Sequence, residues 1–291
     1  MQRASWLFAG TKKLFVVGSQ AVSACVLMNY FCSMEINMAD QLGVNILLDK
    51  TPSKIISLVP SQTELLHSLG LESEVIGITK FCIYPNEWFR SKQRVGGTKT
   101  VNINLIRSLQ PDIIFANKEE NVKEQIDALR EICPVYVSDI CTLSDALKMI
   151  ADVGKLTGKE TAAANMSAQI FGDFQQLRPD TTYNTAYLIW QEPYMVAGGD
   201  TFISDMMYYA GFRNIYQQHS RYPETTIKQL QAMNCELLLL SSEPFPFEQK
   251  HIDLLQPLLP NTKILLADGE MFSWYGSRLM KAAAYFRELK S

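Results

Sequence analysis

The chain has 291 residues, enough for two domains of ordinary size, each with its own core. Its 47% hydrophobic and 20% charged content belongs to a folded globular protein, not a disordered one. With a net charge of -3 and no window that combines dense Lys/Arg with aromatics, it lacks the electrostatic footprint of a nucleic-acid binder.

Residues 1–37 stand apart. Arg3, Lys12 and Lys13 precede an uncharged run from Leu14 to Met34, which has the polarity of a targeting signal. Val22-Ser23-Ala24-Cys25 has the form of a bacterial lipobox, whose cysteine becomes the lipidated first residue. Ser19, Gln20, Ser23 and Asn29 make the run a weak membrane span. The apolar stretch after Cys25 is unlike the polar spacer of a lipid-anchored protein. Two readings stand side by side, with the balance slightly to the second. One is an extracytoplasmic lipoprotein anchored at Cys25; the other is an upstream start codon, with a cytoplasmic protein beginning at Met34 or Met38.

From Asp40 the elements follow in order. Asp40 to Asp49 predicts a short β-hairpin-like opening, which Pro52 stops. Lys54 to Val59 predicts a strand, Pro60 a turn, and Ser61 an N-cap with Glu64 as its capping-box partner. Gly70 ends that helix, and Val75 to Thr79 is the next strand. Phe81 to Arg90 is an aromatic loop, Val101 to Leu109 a helix, and Ile113 to Ala116 a strand. Glu119 to Glu131 predicts an amphipathic helix with Val122, Ile126 and Leu129 on one face. Val135 to Val137 closes a first lobe spanning 38–142. The connection, 143–182, holds a helix from Leu143 to Leu156, a break at Gly158 and a long helix from Glu160 to Leu177 ended by Pro179. At 1.5 Å per residue that helix reaches roughly 27 Å, enough to run from one lobe to the other. Residues 183–291 form the second lobe.

The chain also repeats itself. Ile106 to Glu120 (IRSLQPDIIFANKEE) and Leu230 to Pro244 (LQAMNCELLLLSSEP) are each a helix end, a turn, an apolar strand and an acidic loop. Upstream of each lies a matching strand–loop–helix–Gly unit, Lys54 to Gly70 and Ala186 to Gly211. Alternating strands and helices predict an α/β fold: two lobes with mainly parallel central sheets joined by a single long backbone helix. Such a molecule holds something small between its lobes.

Several chemistries are excluded. The six cysteines are scattered without a C-x-x-C pair and read as free thiols. Three histidines, His67, His219 and His251, fall in different elements, too dispersed for a bare-metal receptor, and no intrinsic cofactor is implied. No nucleophile elbow, zinc-protease, kinase or dinucleotide signature is present, and Gly96-Gly97 and Gly198-Gly199 are not phosphate loops, so the chain does not read as an enzyme. The strand-end loops are instead rich in aromatics: Phe81, Tyr84, Trp88 and Phe89 in the first lobe, and Trp190, Tyr194, Tyr222, Phe245, Phe247, Phe272, Trp274 and Tyr275 in the second. Trp190 and Phe89 read as core filling. Broad apolar walls with a few polar anchors suit a large flat ligand. Candidate anchors are the Glu119–Glu120 pair opening a helix, Lys99 and Lys118 for an anionic ligand, and Arg278 as a carboxylate partner or a brace for the last loop.

The segments 55–70, 75–85, 95–116, 190–216 and 273–278, in this order and spacing, resemble the helical-backbone class of periplasmic binding proteins, the vitamin B12 and iron–siderophore receptors of ABC importers. The resemblance covers about residues 40–289. It implies a monomer that holds a metal chelate, cobalamin-like first and ferric siderophore or haem second, and partners an ABC permease. A soluble carrier or sensor without a permease is the other reading. Tyr222 resembles a family position offering an aromatic wall to cobalamin, and Phe81 the corresponding first-lobe tyrosine position. Thr98 stands where the family has a second tryptophan wall. The expected ligand-contacting set is completed by Tyr84, Lys99, Glu119, Glu120, Tyr194, Met195, Phe247, Trp274, Tyr275 and Arg278. Asn104 and Lys228 occupy the positions of the family's two permease-docking glutamates, with nearby acids such as Glu224 as substitutes.

Overall fold

The structure is a computed structural model and describes residues 35–177 and 183–290. The targeting run, Cys25, Cys32 and the Pro179 helix stop lie outside the described residues.

The first lobe begins earlier than its sequence suggests. β1 (Ile36–Ala39) pairs antiparallel with β2 (Asn45–Leu48). Alternation places Ile36 and Met38 against the core. Asp40 makes the turn, its carboxylate accepting from the backbone N–H groups of Leu42 and Val44 at 2.9 and 2.8 Å. A protein starting at Met38 would therefore lack half of β1, so the boundary at residue 38 falls inside a strand.

The chain continues through β3 (Ile55–Ser57), α1 (Pro60–Ser68), β4 (Val75–Ile78), α2 (Asn86–Ser91) and β5 (Gln93–Arg94). It then forms α3 (Ile103–Leu109), β6 (Ile113–Asn117), α4 (Lys123–Arg130) and β7 (Val135–Ser138). These strands build a parallel sheet in the order β5-β4-β3-β6-β7. β3, β6 and β7 are buried throughout, as strands covered on both faces must be. Two helix starts differ from expectation. Pro60, with its fixed φ, occupies the first position of α1, so Val59 and not Ser61 is the N-cap and the Ser61–Glu64 capping box does not form. The helix expected from Glu119 begins at Lys123. The Asn117 side chain accepts from the N–H groups of Glu119 and Glu120 at 2.8 and 3.0 Å and holds both in a turn.

The second lobe comprises β8 (Tyr183–Trp190), β9 (Met195–Val196), α7 (Phe202–Tyr209), β10 (Phe212–Asn214) and α8 (Ile227–Ala232). It ends with β11 (Leu237–Ser241), α9 (Gln249–Leu255), β12 (Lys263–Ala267), α10 (Gly269–Ser273) and α11 (Leu279–Lys290). Its sheet is parallel in the order β10-β8-β11-β12, with β9 antiparallel on β8. Gly199 lies so close to the Gln217 carbonyl that an added Cβ would sit 1.9 Å from its oxygen, a backbone approach that only glycine allows. The leucines of β11 alternate between two cores. Leu237 and Leu239 join a large core shared with the first lobe, and Leu238 and Leu240 join a second core within this lobe.

Between the lobes run α5 (Leu143–Thr157) and α6 (Glu160–Gln175). Thr142 and Asp145 form a capping box on α5, and Gly158 ends it in a left-handed conformation with φ of 67°. α6 packs on both α5 and α11, and Phe174 near its end meets Tyr209 and Phe286 edge-on at 5.1 and 6.1 Å. Its 16 residues span about 24 Å. From the second lobe, Asp205 on α7 accepts the Leu143 N–H at 2.7 Å and so helps to cap α5.

α6 contains no proline and no break between its ends. Lobe closure on ligand is therefore expected to be a few degrees. Small-angle scattering of free and loaded protein should give nearly superimposable curves, and a large contraction would contradict it.

Candidate functional site

Open α/β sheets offer ligand sites at the carboxyl ends of their strands, and in this protein residue pairs join the two lobes through the loops there. Arg278, between α10 and α11, places Nε and Nη2 on the two carboxylate oxygens of Glu64 in α1 at 3.0 and 2.9 Å. Its Nη1 meets Glu270 at 2.6 Å. The same guanidinium lies 4.9 Å from the Trp274 ring centroid and 5.2 Å from that of Tyr84. Those two rings meet edge-on at 6.0 Å. Glu64, freed from capping α1, serves this contact instead.

A second pair joins Glu119 of the β6–α4 turn to Arg221 of the second lobe at 3.1 Å. Arg221 has a left-handed backbone with φ of 57°, donates its N–H to Asp200, and stacks its guanidinium 5.7 Å from the Tyr222 ring. Burial, the charge of Glu119 and a hydrogen bond to it all push the Tyr222 hydroxyl's pKa up.

Carboxylates gather between these pairs. Glu120 has its pKa pushed up to about 7 from an ordinary 4.5, first by burial and then by the charges of Glu243 and Glu119, against the opposing pull of Lys99. Glu243, in the loop after β11, is also raised by burial, although the Ser273 hydroxyl donates to it at 2.7 Å and the Trp274 side chain hydrogen-bonds to it. Gly269 makes room for this arrangement: a Cβ there would sit 2.5 Å from Glu243 Cγ. Tyr275 reaches from the second lobe toward Ser61 and Ser138 of the first. Its hydroxyl is buried and faces the buried hydroxyls of Ser61 and Ser138.

The sequence-derived candidates divide accordingly. Tyr84, Trp274 and Arg278 come together in one contact between the lobes, Glu119 and Tyr222 come together with Arg221 in another, and Glu120 and Tyr275 act on one another through charge. Phe81 is exposed on the β4–α2 loop, with the Lys80 ammonium 5.1 Å from its ring centroid. Thr98 and Lys99 brace the β6–α4 turn: the Thr98 carbonyl accepts from Asn121 at 2.9 Å, and Lys99 Nζ donates to the Glu119 carbonyl at 2.6 Å. Lys118 is paired with Asp139 at 2.6 Å. Tyr194 and Met195 are half-buried on the β8–β9 hairpin, Tyr194 against the second-lobe core and Met195 against the shared one. Phe247 is a correction. At 4% exposure it packs in the second-lobe core against Phe245 and His251, because its loop folds back over the sheet. Trp190, read as core, is instead 40% exposed at the end of β8, edge-on to Phe245. Arg221 and Glu243 were not singled out from sequence. The repeat carried the signal for Glu243, which occupies the place of Glu119. Among the described residues no group of three or more His, Cys, Asp or Glu could hold a metal ion.

Arg278→Ala would leave two largely buried carboxylates unmatched. It is expected to cost about 3–5 kcal/mol in denaturant unfolding, with Arg278→Lys losing less but failing to restore the two-pronged contact. For Glu120 the folded pKa lies above the unfolded one. Its contribution is fully present below about pH 4.5 and lost as pH rises through about 7. Glu120→Gln should match the parent at the acid end and become the more stable of the two as pH rises. Parallel stability–pH profiles would contradict this.

The chain can now be set beside known proteins. It is 26% identical over 194 residues to a vitamin B12-binding protein of Vibrio campbellii (strain ATCC BAA-1116), covering 65% of this chain and 70% of that one. It is 24% identical over 217 residues to an uncharacterized ABC transporter substrate-binding lipoprotein, YvrC, of Bacillus subtilis (strain 168), covering 70% and 68%. Its fold is similar to that of the periplasmic haem-binding protein BhuT in complex with two haems, with a TM-score of 0.72 at 22% identity over 82% of this chain and 98% of that one. A family model for periplasmic binding proteins matches residues 55–254, more than half of the sequence. The chain belongs to the periplasmic binding protein family.

Proposed function

We propose that the protein holds a metal chelate in the crevice and delivers it to an ABC permease, the chelate being a corrinoid of the cobalamin type first and a ferric siderophore or haem second. The family is one of binding proteins rather than enzymes. One observation carries the choice of ligand class. Aromatic rings from both lobes stand where the lobes meet, Tyr84 and Trp274 with Arg278 and Tyr222 with Arg221, and carboxylates lie beside both arginines. A broad, flat ligand with a polar rim needs that combination. The relatives named for vitamin B12 and for haem support the same class, and a relative named as a substrate-binding lipoprotein favours the importer over the free carrier.

In this reading the protein acts as a monomer, is exported, and carries its lipid anchor on Cys25. The permease would meet α3 and α8, whose exposed residues Asn104 and Lys228 occupy equivalent places in the repeat. Neither is acidic, so the complementary permease surface would carry an acid opposite Lys228 rather than an arginine.

Mass spectrometry and an absorbance scan of protein purified from its native cells should reveal a bound corrin, haem or ferric chelate. Tyr222→Ala should weaken its binding by about 1–3 kcal/mol through loss of a stacked ring. Because Tyr222 also packs on the shared core, Tyr222→Phe is the control. It should keep the affinity while losing only the hydrogen bond to Glu119. Equal loss in both variants would point to that hydrogen bond rather than a ring wall.

A further inference from the structure

The β1–β2 hairpin is a two-stranded sheet of its own, outside both parallel sheets. Its inner side is spent on the core, with Ile46 and Leu48 buried and Ile36 and Met38 packed beside them in the same cluster. Its exposed side carries Asn37 opposite Leu47 and Ala39 opposite Asn45, and the turn adds Leu42 and Val44. Leu42, Val44 and Leu47 are 42%, 36% and 49% exposed. Single exposed apolar side chains are ordinary, but these three share one short hairpin with no exposed charge among them. Asp40 is the only charged residue between Ile36 and Leu48. Its buried carboxylate accepts from the N–H groups of Leu42, Val44 and Val137, with Arg130 3.5 Å away. A charge-free apolar face of this kind marks a surface that something apolar covers.

The chain that leads into the hairpin indicates what that is. With the lipid on Cys25, the tether to Ile36 reaches at most about 40 Å. Glu35 is the only charge between Cys25 and Asp40, and the tether includes Tyr30 and Phe31. A polar spacer would let the folded domain swing free in water. An apolar one with aromatic rings favours the boundary between lipid headgroups and acyl chains. The apolar tether and the apolar hairpin are consecutive in the chain, so a single surface can cover both.

We infer that the exposed face of the β1–β2 hairpin, through Leu42, Val44 and Leu47, rests on the lipid bilayer that holds the anchor. The inference rests on the exported, lipid-anchored reading and adds an orientation to it: the first lobe lies on the membrane by its hairpin instead of swinging on a free spacer. The three apolar side chains reach the headgroup–acyl boundary, and Asn37 and Asn45 keep hydrogen bonds to headgroups and water there. The face offers no charge with which to select a charged protein partner.

The test places the full chain and its Leu47→Trp and Phe171→Trp variants on phosphatidylcholine vesicles with brominated acyl chains, because bromine quenches only a tryptophan that reaches the lipid. Phe171 on α6 is the control, 51% exposed against 49% for Leu47. The emission that Leu47→Trp adds to the parent's should shift to the blue on vesicles and be mostly lost to bromine. The emission added by Phe171→Trp should keep its wavelength and intensity. If Leu47→Trp fails to fold, Leu42→Trp at the turn gives the same readout. Added hairpin emission that bromine leaves unchanged overturns the inference, and if a water-soluble quencher is excluded there as well, a second copy covers the face. Equal loss from hairpin and α6 also overturns it, since the membrane then shows no preference for the hairpin. Vesicle flotation separates the two failures. Protein that floats with an unquenched hairpin keeps the anchor and loses the orientation, whereas protein that does not float loses both and leaves the chelate site untouched.

Discussion

The guanidinium of Arg278 is the group on which the arrangement of the two lobes depends. It lies 214 positions from Glu64 in the chain, yet their side chains meet through two hydrogen bonds. A largely buried guanidinium is tolerable only when its donors are matched, and Glu64 and Glu270 match them. Its planar faces are covered by Tyr84 from one lobe and Trp274 from the other. One side chain thus joins the lobes, orients the last loop and positions two of the aromatic walls. Replacing either carboxylate would disturb all three at once.

The other ties between the lobes are weaker in a way that burial explains. The Arg278–Glu64 side chains are 9% and 16% exposed, whereas Arg221 and Glu119 are 48% and 38% exposed. A water-screened pair of the second kind is worth about 0–1 kcal/mol. One of its two members, Arg221, holds a strained left-handed backbone, which further lowers its net value. The Asp205 contact with α5 costs something too, since burial raises that carboxyl's pKa while the Leu143 N–H lowers it. The lobes are therefore held firmly at Arg278 and by the shared core, and lightly at Glu119.

How much of this was legible in the sequence follows from range. Period and punctuation are local, so the strands, the Gly158 break and the two-lobed parallel architecture could be read directly. The readings that failed were local competitions with more than one winner. At Pro60 a fixed φ outcompeted the Ser61 cap, and at Asn117 a side chain turned the backbone where acidic residues suggested a helix start. Ile36 and Met38 were missed because two inward residues are too few to show a period. Phe247 and Trp190 exchanged roles because an aromatic at a strand end can fold inward or stand out, and only the loop path decides. The Arg278–Glu64 contact had no sequence signal at all. The approach of Glu243 to Glu120 did, since the repeat placed Glu243 where Glu119 stands, and a repeat facing its copy brings equivalent loops together.

The crevice walls now touch one another, and this sets the terms on which anything can bind there. Tyr84 rests on Trp274 and Arg221 on Glu119, so an occupant must exchange protein contacts for its own, and affinity is the difference between the two sets. The contacts that must part are an exposed ion pair and an edge-on aromatic pair, each worth of order 1 kcal/mol. The contact that would be expensive to break, Arg278 with its two carboxylates, also holds the Trp274 wall. Binding therefore need not dismantle the part of the interface that carries most of the energy. The walls stay placed by Arg278 and by the single helix α6, and the entropy of ordering them is spent at folding rather than at binding. That is the advantage of joining two lobes rigidly and leaving only weak contacts where a ligand enters.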